Sequence, residues 1–174
     1  KGSVDRKMVP IVDTINKQEN YYTTSCCAGR IVLLHQVSGK KQESNWLFSS
    51  HSTIKPSQLK AALSTSKLPK KGVVWLLAEA PIIHIACKTI NDAWKLVATI
   101  KQGGFKRTSI ISSTPHKTTI EAFGTKRIEM PVANKGSMVI PLASFIELTN
   151  NTNKKLRHSH LLLKKLEKDL KNKS

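Results

Sequence analysis

The stretch Tyr21-Tyr22-Thr23-Thr24-Ser25-Cys26-Cys27-Ala28-Gly29-Arg30 begins with eight consecutive aromatic, hydroxyl, thiol or small side chains and ends in a Gly-Arg pair. The apolar run from Ile31 to Leu34 follows it and predicts a buried strand. Thr and Ser can bond local backbone groups in a turn, but a turn rarely needs so many of them. Binding residues often lie where a loop meets a rigid scaffold. We therefore interpret this stretch as the polar rim of a binding site just before a buried strand.

Outward from this stretch, apolar periodicity and turn residues predict a mixed order of helices and strands. Thr89 and Asp92 form a capping box that opens one helix, and Gly103-Gly104 ends it. The predicted helices lie within residues 5–18, at 56–66, at 89–102, from Pro141, and after Asn150-Asn151-Thr152; the predicted strands lie at 30–37, 46–49, 73–78, 82–87, 106–113, 117–123 and 127–132, with polar loops at 38–45 and 67–72.

This order of elements predicts an α+β fold: a single domain with mixed β-sheets flanked by helices. A barrel-like closure and a duplication of two halves stay open, although no residue-level repeat supports the duplication. Residues 1–152 are interpreted as one α+β domain and residues 153–174 as a basic C-terminal helix. No Gly-x-Gly-x-x-Gly follows a strand, so the sequence predicts a non-Rossmann fold.

The last predicted helix carries one apolar seam. Leu156, Leu163 and Leu170 are seven residues apart, and Leu166 lies on the same side. We expect this seam to dock on the body of the protein. Pairing with a helix of a second copy is the alternative, so the oligomeric state stays open.

Charge is the strongest compositional signal. The chain has 29 basic and 11 acidic residues, a formal net charge of +18. The segment from Asn153 holds 8 basic and 2 acidic residues, so the remaining chain keeps 21 basic and 9 acidic residues, a net +12. A basic body favours a polyanionic partner, with nucleic acid ahead of an anionic membrane.

Cysteine content and hydropathy indicate the compartment. Three cysteines, two of them adjacent, do not form a secreted disulfide framework and favour a reducing, cytoplasmic location. No signal peptide and no apolar run of about 20 residues is present. The sequence also lacks a Cys-x-x-Cys pair, so we expect no metal site. Because the sequence begins with Lys1 rather than Met, we expect a further segment upstream.

A series of motifs in order resembles the tRNA wybutosine-synthesizing protein 3 family. The series comprises Lys1-Gly2-Ser3-Val4-Asp5, Tyr21 to Ile31, Trp46-Leu47, His51, Pro81 to Ile85, Cys87-Lys88, Gly104-Phe105-Lys106 and Glu129-Met130-Pro131. The resemblance implies a methyltransferase that uses S-adenosylmethionine and methylates a ring nitrogen of a wybutosine precursor beside the anticodon of phenylalanine tRNA. It also implies a fold other than the Rossmann methyltransferase fold. A tRNA partner agrees with the basic body.

Candidate roles follow from this resemblance and from residue chemistry. His51 and His84 are candidate bases for the proton of the ring nitrogen. Ser25, Cys26, Arg30 and Trp46 are candidates for the cofactor, since a guanidinium fork suits a carboxylate and an indole face suits a sulfonium. Thr24, Lys106, Arg107 and Lys126 are candidates for contacts with the substrate RNA.

Each of these assignments has a simpler alternative. Arg30 suits a surface ion pair at a strand start, the hydroxyls suit local turn bonds, and His84 and Trp46 suit ordinary structural positions. Residues 107–109 and 123–127 differ from the family's pattern, and the second segment lacks its histidine. The alternative function is therefore a non-catalytic tRNA-binding protein of the same fold.

Overall fold

The computed structural model describes residues 4–38, 43–64 and 68–172. Its elements are α1 (Val9–Asn16), β1 (Tyr21–Cys27), β2 (Arg30–Gln36), β3 (Ser44–Ser50), α2 (Pro56–Ala62), β4 (Val73–Glu79), β5 (Ile82–Cys87), α3 (Ile90–Gln102), β6 (Arg107–Ser113), β7 (Thr118–Phe123), β8 (Ile128–Asn134), β9 (Ser137–Met138) and α4 (Phe145–Lys171), with a 3-10 turn at Leu142–Ser144. Parts of both predicted loops, and the predicted end of the helix at 56–66, lie outside the described residues.

The strands form two sheets, and the α+β prediction is confirmed. One sheet has the order β1-β5-β7-β6 and the other the order β3-β2-β4-β8-β9. Every pairing among the described residues is antiparallel, whereas mixed sheets were expected. Short turns such as residues 114–117 between β6 and β7 can join only antiparallel neighbours. Within the described residues neither sheet closes on itself, so the barrel-like option is wrong.

The chain divides into two compact units, each built around one sheet. The first unit comprises residues 1–29, 80–126 and 158–174, and the second comprises residues 30–79 and 127–157. Both units are assembled from segments that interleave along the sequence. The duplication of two halves, and the division of the chain at residue 152, stay predictions.

The core of the first unit lies between one face of its sheet and the helices. Ile83 and Ile85 of β5 and Ile120 of β7 are fully buried there, as strand alternation requires. Leu96 and Ile100 of α3 pack into the same cluster. Thr89 is the N-cap of α3 as predicted: its hydroxyl accepts from the Asp92 amide at 3.1 Å and donates to the Asp92 carboxylate at 2.6 Å.

The core of the second unit collects the apolar residues of β2 and β4. Ile31, Leu33 and Leu76 are fully buried, and Leu59 of α2 and Phe145 of α4 pack against them. Val32 and Leu34 alternate with the first two along β2, and β2 lies between β3 and β4 in its sheet. Val32 is buried as well, so both faces of this part of β2 are covered, which explains the near-continuous apolar run after Arg30.

Helix α4 runs unbroken through the segment at which a new helix was expected to begin. Asn150-Asn151-Thr152 lies inside α4, and the Thr152 hydroxyl donates to the Leu148 carbonyl at 2.7 Å. Asn153 is also inside the helix, where its amide bonds both backbone groups of Ile54. The polar cluster therefore continues the helix, because these side chains find partners without ending it.

The leucine seam of α4 is buried in the cores of its own chain. Leu156 packs in the core of the second unit, and Leu163, Leu166 and Leu170 pack in the core of the first. The docking prediction is confirmed. Pairing through this seam with a second copy is wrong, because these leucines are at most 3% exposed.

In the part of the chain that the structure describes, no helix combines the length and the apolar character needed to cross a membrane.

Candidate functional site

The stretch from Tyr21 to Cys27, predicted as a polar rim just before a buried strand, is itself strand β1 and precedes the buried strand β2. It pairs antiparallel with β5, and a bulge interrupts the ladder between Thr23 and Ser25. Aromatic and hydroxyl side chains suit a half-exposed strand. Because β1 is an edge strand, its alternate side chains such as Tyr22 can stay exposed.

A row of three polar side chains crosses the sheet of the first unit. The Ser25 Oγ lies 2.7 Å from His84 Nδ1, and His84 Nε2 lies 2.9 Å from the Glu121 carboxylate. Ser25 is the ladder partner of His84, and His84 is the ladder partner of Glu121. Residues opposite each other in antiparallel strands point to one face. The ladder of β1, β5 and β7 therefore aligns hydroxyl, imidazole and carboxylate on one side of the sheet.

The bulge in β1 brings a second hydroxyl to His84. The Thr24 hydroxyl donates to the His84 carbonyl at 3.2 Å, while Ser25 bonds the ring of the same residue. Bulges aim side chains at positions that a regular ladder does not offer, and they are frequent beside active sites. The structure thus brings together three of the predicted site residues, namely Thr24, Ser25 and His84.

The chemistry of this row is set by the two nitrogens of His84. A neutral imidazole has one N–H donor and one acceptor nitrogen, and a carboxylate can only accept. In the neutral form of His84 the proton therefore lies on Nε2, which donates to Glu121, while Nδ1 accepts from the Ser25 hydroxyl. The side chains of His84 and Glu121 are only 26% and 36% exposed, and Ser25 is exposed. Both ring nitrogens have partners, so Ser25 is the member of the row open to an incoming molecule.

Glu121 is the member that sequence reasoning missed. It lies in β7 between Ile120 and Ala122, both fully buried. A carboxylate at alternate spacing within an apolar strand was a signal available in the sequence. Its link to His84 depends on the pairing of β7 with β5, which the sequence does not give.

Cys26 is separated from this row by the strand geometry. Its side chain packs against the core cluster of the first unit, on the face of the sheet to which Ile83 and Ile85 of β5 point. Burial raises the pKa of the Cys26 thiol, and Cys27 and Asp5 raise it further. A thiol with a raised pKa stays protonated at neutral pH and is a weak nucleophile. The structure does not bring Cys26 together with Ser25.

Lys106, Arg107 and Lys126 are exposed at one end of the β6–β7 pair. Arg107 begins β6 and is the ladder partner of Phe123, the last residue of β7. Lys106 directly precedes β6, and Lys126 follows shortly after β7. The three cations predicted from the sequence are therefore placed by the antiparallel pairing at the same end of the β6–β7 pair.

A second constellation lies within the second unit. Arg30 Nε forms an ion pair with Glu79, and the Arg30 guanidinium carbon lies 4.0 Å from the centre of the Trp46 ring. Arg30 and Glu79 are ladder partners in β2 and β4, while Trp46 comes from β3 on the other side of β2. The structure brings together two predicted cofactor residues, Arg30 and Trp46. Glu79 was missed, although a carboxylate ending the apolar strand β4 was visible in the sequence.

Trp46 is not a core residue. Its side chain is 55% exposed, so one ring face packs on the Arg30 guanidinium while much of the indole stays accessible. A guanidinium over an indole face is a favourable cation–π arrangement. His51, the other predicted base, directly follows the end of β3 at Ser50 and is exposed.

Comparison with known proteins places this chain in a family. The family model described as Methyltransferase TYW3 matches residues 1–172. A Thermococcus sibiricus protein is 30% identical over 171 residues, covering 98% of this chain and 85% of the relative. A Pyrococcus horikoshii protein is 32% identical over 168 residues, covering 96% of this chain and 84% of the relative. Both relatives carry the name tRNA(Phe) 7-((3-amino-3-carboxypropyl)-4-demethylwyosine(37)-N(4))-methyltransferase, the second with the suffix 1.

The fold agrees with the sequence match. A solved structure of the PH1069 protein from Pyrococcus horikoshii superposes with a TM-score of 0.88 at 30% identity, and the alignment covers 96% of this chain and 85% of that one. The match of the family model extends over nearly the whole chain, and the resemblance found in the sequence motifs is confirmed. This chain belongs to the TYW3 methyltransferase family.

Proposed function

We propose that this chain is a tRNA methyltransferase that transfers a methyl group from S-adenosylmethionine to a ring nitrogen of a wybutosine precursor in phenylalanine tRNA. The observation that carries the proposal is the family match over residues 1–172, together with relatives named for methylation of demethylwyosine at N4. The basic body, with a net charge of +18 for the chain, supports a tRNA partner because neutralising phosphates dominates RNA affinity.

The residues around Arg30 fit the proposed cofactor. When bound, S-adenosylmethionine supplies a methyl group on a sulfonium sulfur. Its carboxylate suits a guanidinium fork, and its sulfonium or adenine suits an accessible indole face. Arg30 is half-buried, is held at Nε by Glu79 and is stacked on Trp46, so both the cation and the ring are pre-oriented. We assign Arg30 and Trp46 to cofactor binding, and Glu79 to holding Arg30.

We assign the exposed cations Lys106, Arg107 and Lys126 to the phosphates of the tRNA. Exposed lysine and arginine side chains at one strand edge can follow a sugar–phosphate backbone without sequence preference. The Thr24 hydroxyl bonds the His84 carbonyl and keeps its lone pairs for a base edge or a ribose.

Of the two histidines predicted as proton acceptors, His84 is the better supported. Its ring bonds Ser25, a second predicted site residue, and Glu121. A base held in place by its neighbours is effective, because positioning supplies much of the rate of a bimolecular displacement.

The proposal is tested by methyl transfer with the full chain. Purified protein is incubated with methyl-labelled S-adenosylmethionine and phenylalanine tRNA that carries the precursor, and label is counted in the tRNA. We expect label only with the precursor-bearing tRNA, not with the same tRNA bearing unmodified guanosine. A folded chain that binds this tRNA but neither binds S-adenosylmethionine by calorimetry nor transfers label would instead support the non-catalytic tRNA-binding alternative.

A further inference from the structure

We infer that Ser25, His84 and Glu121 form a proton relay in which the Ser25 hydroxyl, rather than a nitrogen of His84, accepts the proton of the methylated ring nitrogen. This inference rests on the proposed function and assigns the base that the function requires. It changes the role of Ser25 from a cofactor contact to a catalytic residue. Glu121 becomes a positioning residue that acts through His84.

Both nitrogens of the His84 ring are occupied by hydrogen-bond partners from the row. Nδ1 is 2.7 Å from the Ser25 hydroxyl and Nε2 is 2.9 Å from the Glu121 carboxylate. An imidazole whose two nitrogens are both engaged cannot accept a substrate proton directly. The exposed hydroxyl of Ser25 can, provided that it passes its own proton to Nδ1.

The row is flanked by other side chains on the same face of the sheet. One ladder step away on either side are Ala86 with Thr119, and Ile82 with Phe123. None of these four side chains carries a charge, but the outer strands place Tyr22 opposite Ala86 and Arg107 opposite Phe123 on the same face. On this part of β5 and β7 themselves, the ionisable groups are His84 and Glu121. The imidazolium that forms when His84 takes a proton then has the Glu121 carboxylate as its direct counter-charge.

The proposed step balances in protons and electrons. The lone pair of the ring nitrogen forms a bond to the methyl carbon, and the carbon–sulfur bond breaks with its electron pair going to sulfur. The N–H proton moves to Ser25 Oγ while the hydroxyl proton of Ser25 moves to His84 Nδ1. His84 becomes an imidazolium, and its Nε2 proton stays in the hydrogen bond to the Glu121 carboxylate. Release of the Nδ1 proton to solvent through Ser25 restores the row.

The kinetic test uses single variants and one double variant of the full chain. We expect Ser25→Ala and His84→Gln each to lower kcat by about 10²–10⁴-fold, the usual contribution of general base catalysis. We expect Glu121→Gln to lower kcat by about 10–100-fold, typical of a group that orients another. The KM for tRNA and the Kd for S-adenosylmethionine should stay within about threefold of wild type, because the relay holds neither ligand in the ground state.

Non-additivity separates a relay from three independent contacts. The double variant Ser25→Ala/His84→Gln should be no slower than the worse single variant, since either change already interrupts proton transfer. Ser112→Ala is the matched control, because Ser112 is an exposed serine of the same sheet that lies outside the row. It should keep wild-type kcat.

A spectroscopic test needs no substrate. Nitrogen NMR of the histidine-labelled full chain at neutral pH should show His84 with its proton on Nε2, and Ser25→Ala should change the Nδ1 signal. A proton on Nδ1 would overturn the relay. The relay would also be overturned if the wild-type protein is active and the Ser25→Ala variant has the same kcat. A wild-type chain without methyl transfer would instead remove the proposed function itself, so the two failures are distinguishable.

Discussion

Replacement of Asn153 by alanine is the sharpest test of how α4 is fixed in the second unit. The Asn153 side-chain oxygen accepts from the Ile54 amide at 2.9 Å, and its NH₂ group donates to the Ile54 carbonyl at 2.8 Å. Asn153 is 7% exposed and Ile54 is 5% exposed, so water cannot replace either bond without rearrangement. The Asn153 side chain therefore satisfies both backbone hydrogen-bonding groups of Ile54, as a neighbouring strand would.

The expected cost follows from what Asn153→Ala leaves behind. The amide and the carbonyl of Ile54 both stay buried without a partner, and each such group costs about 1–3 kcal/mol. Alanine recovers about 0.5 kcal/mol through its better helix propensity. We expect the free energy of unfolding to fall by about 1.5–5.5 kcal/mol.

The assay is urea denaturation of the full chain, with Asn150→Ala as the matched control. Asn150 is an exposed residue of the same helix, so the control changes helix propensity without breaking the Ile54 bonds. We expect the control to match or slightly exceed wild-type stability. A difference below about 1 kcal/mol between the two variants would refute the reasoning, because it would mean that the Ile54 groups find other partners at little cost.

Three further predictions concern the cofactor, the pH dependence and the RNA. Arg30→Lys keeps the charge but removes the planar fork, so we expect calorimetry to show S-adenosylmethionine affinity lowered about tenfold or more; unchanged affinity would remove Arg30 from the cofactor site. Burial raises the pKa of Cys87 to about 11, so the unfolded chain loses this proton first and stability falls as pH rises from about 9 to 11. Cys87→Ala should remove about 2 kcal/mol of that loss, measured as the difference in unfolding free energy between urea titrations at pH 8 and pH 11; an equal loss in both proteins would show that Cys87 is not its source. Arg107→Ala/Lys126→Ala should weaken tRNA binding and lower the slope of log affinity against log salt by about 1–2, while Lys101→Ala, an exposed lysine of α3, should not; equal slopes would argue against a phosphate role.

The elements that were predictable from the sequence are those fixed by local chemistry. Strand β5 has the predicted bounds, Ile82 to Cys87, because Pro81 and Lys88 flank a short apolar run. Helix α3 begins at its predicted cap and ends at its predicted Gly103. In both cases the decisive residues are neighbours in the sequence, so no knowledge of the tertiary fold was needed.

The parts that sequence reasoning missed depend on distant partners. The polar residues of α4 read as a helix break, but Asn153 bonds Ile54, which is 99 positions away in the sequence. Glu79 and Glu121 were not predicted as site residues, and only the strand pairing shows that they bond Arg30 and His84. A polar side chain inside an element is interpretable only when its partner is known, because the same residue is disfavoured alone and stabilising when paired.

The bulge in β1 explains why the composition of the opening stretch could suggest a site but not assign its residues. Regular alternation from Thr23 would place Ser25 on the core face and Cys26 on the open face. Because Thr24 is the extra residue, Thr23 stands opposite Ile85, Ser25 opposite His84, and Cys26 opposite Ile83. The inserted residue thus turns the serine towards the histidine and the thiol into the core. One residue of register therefore decides whether this strand presents an inert thiol or a hydroxyl already bonded to an imidazole, and the proposed chemistry depends on that register.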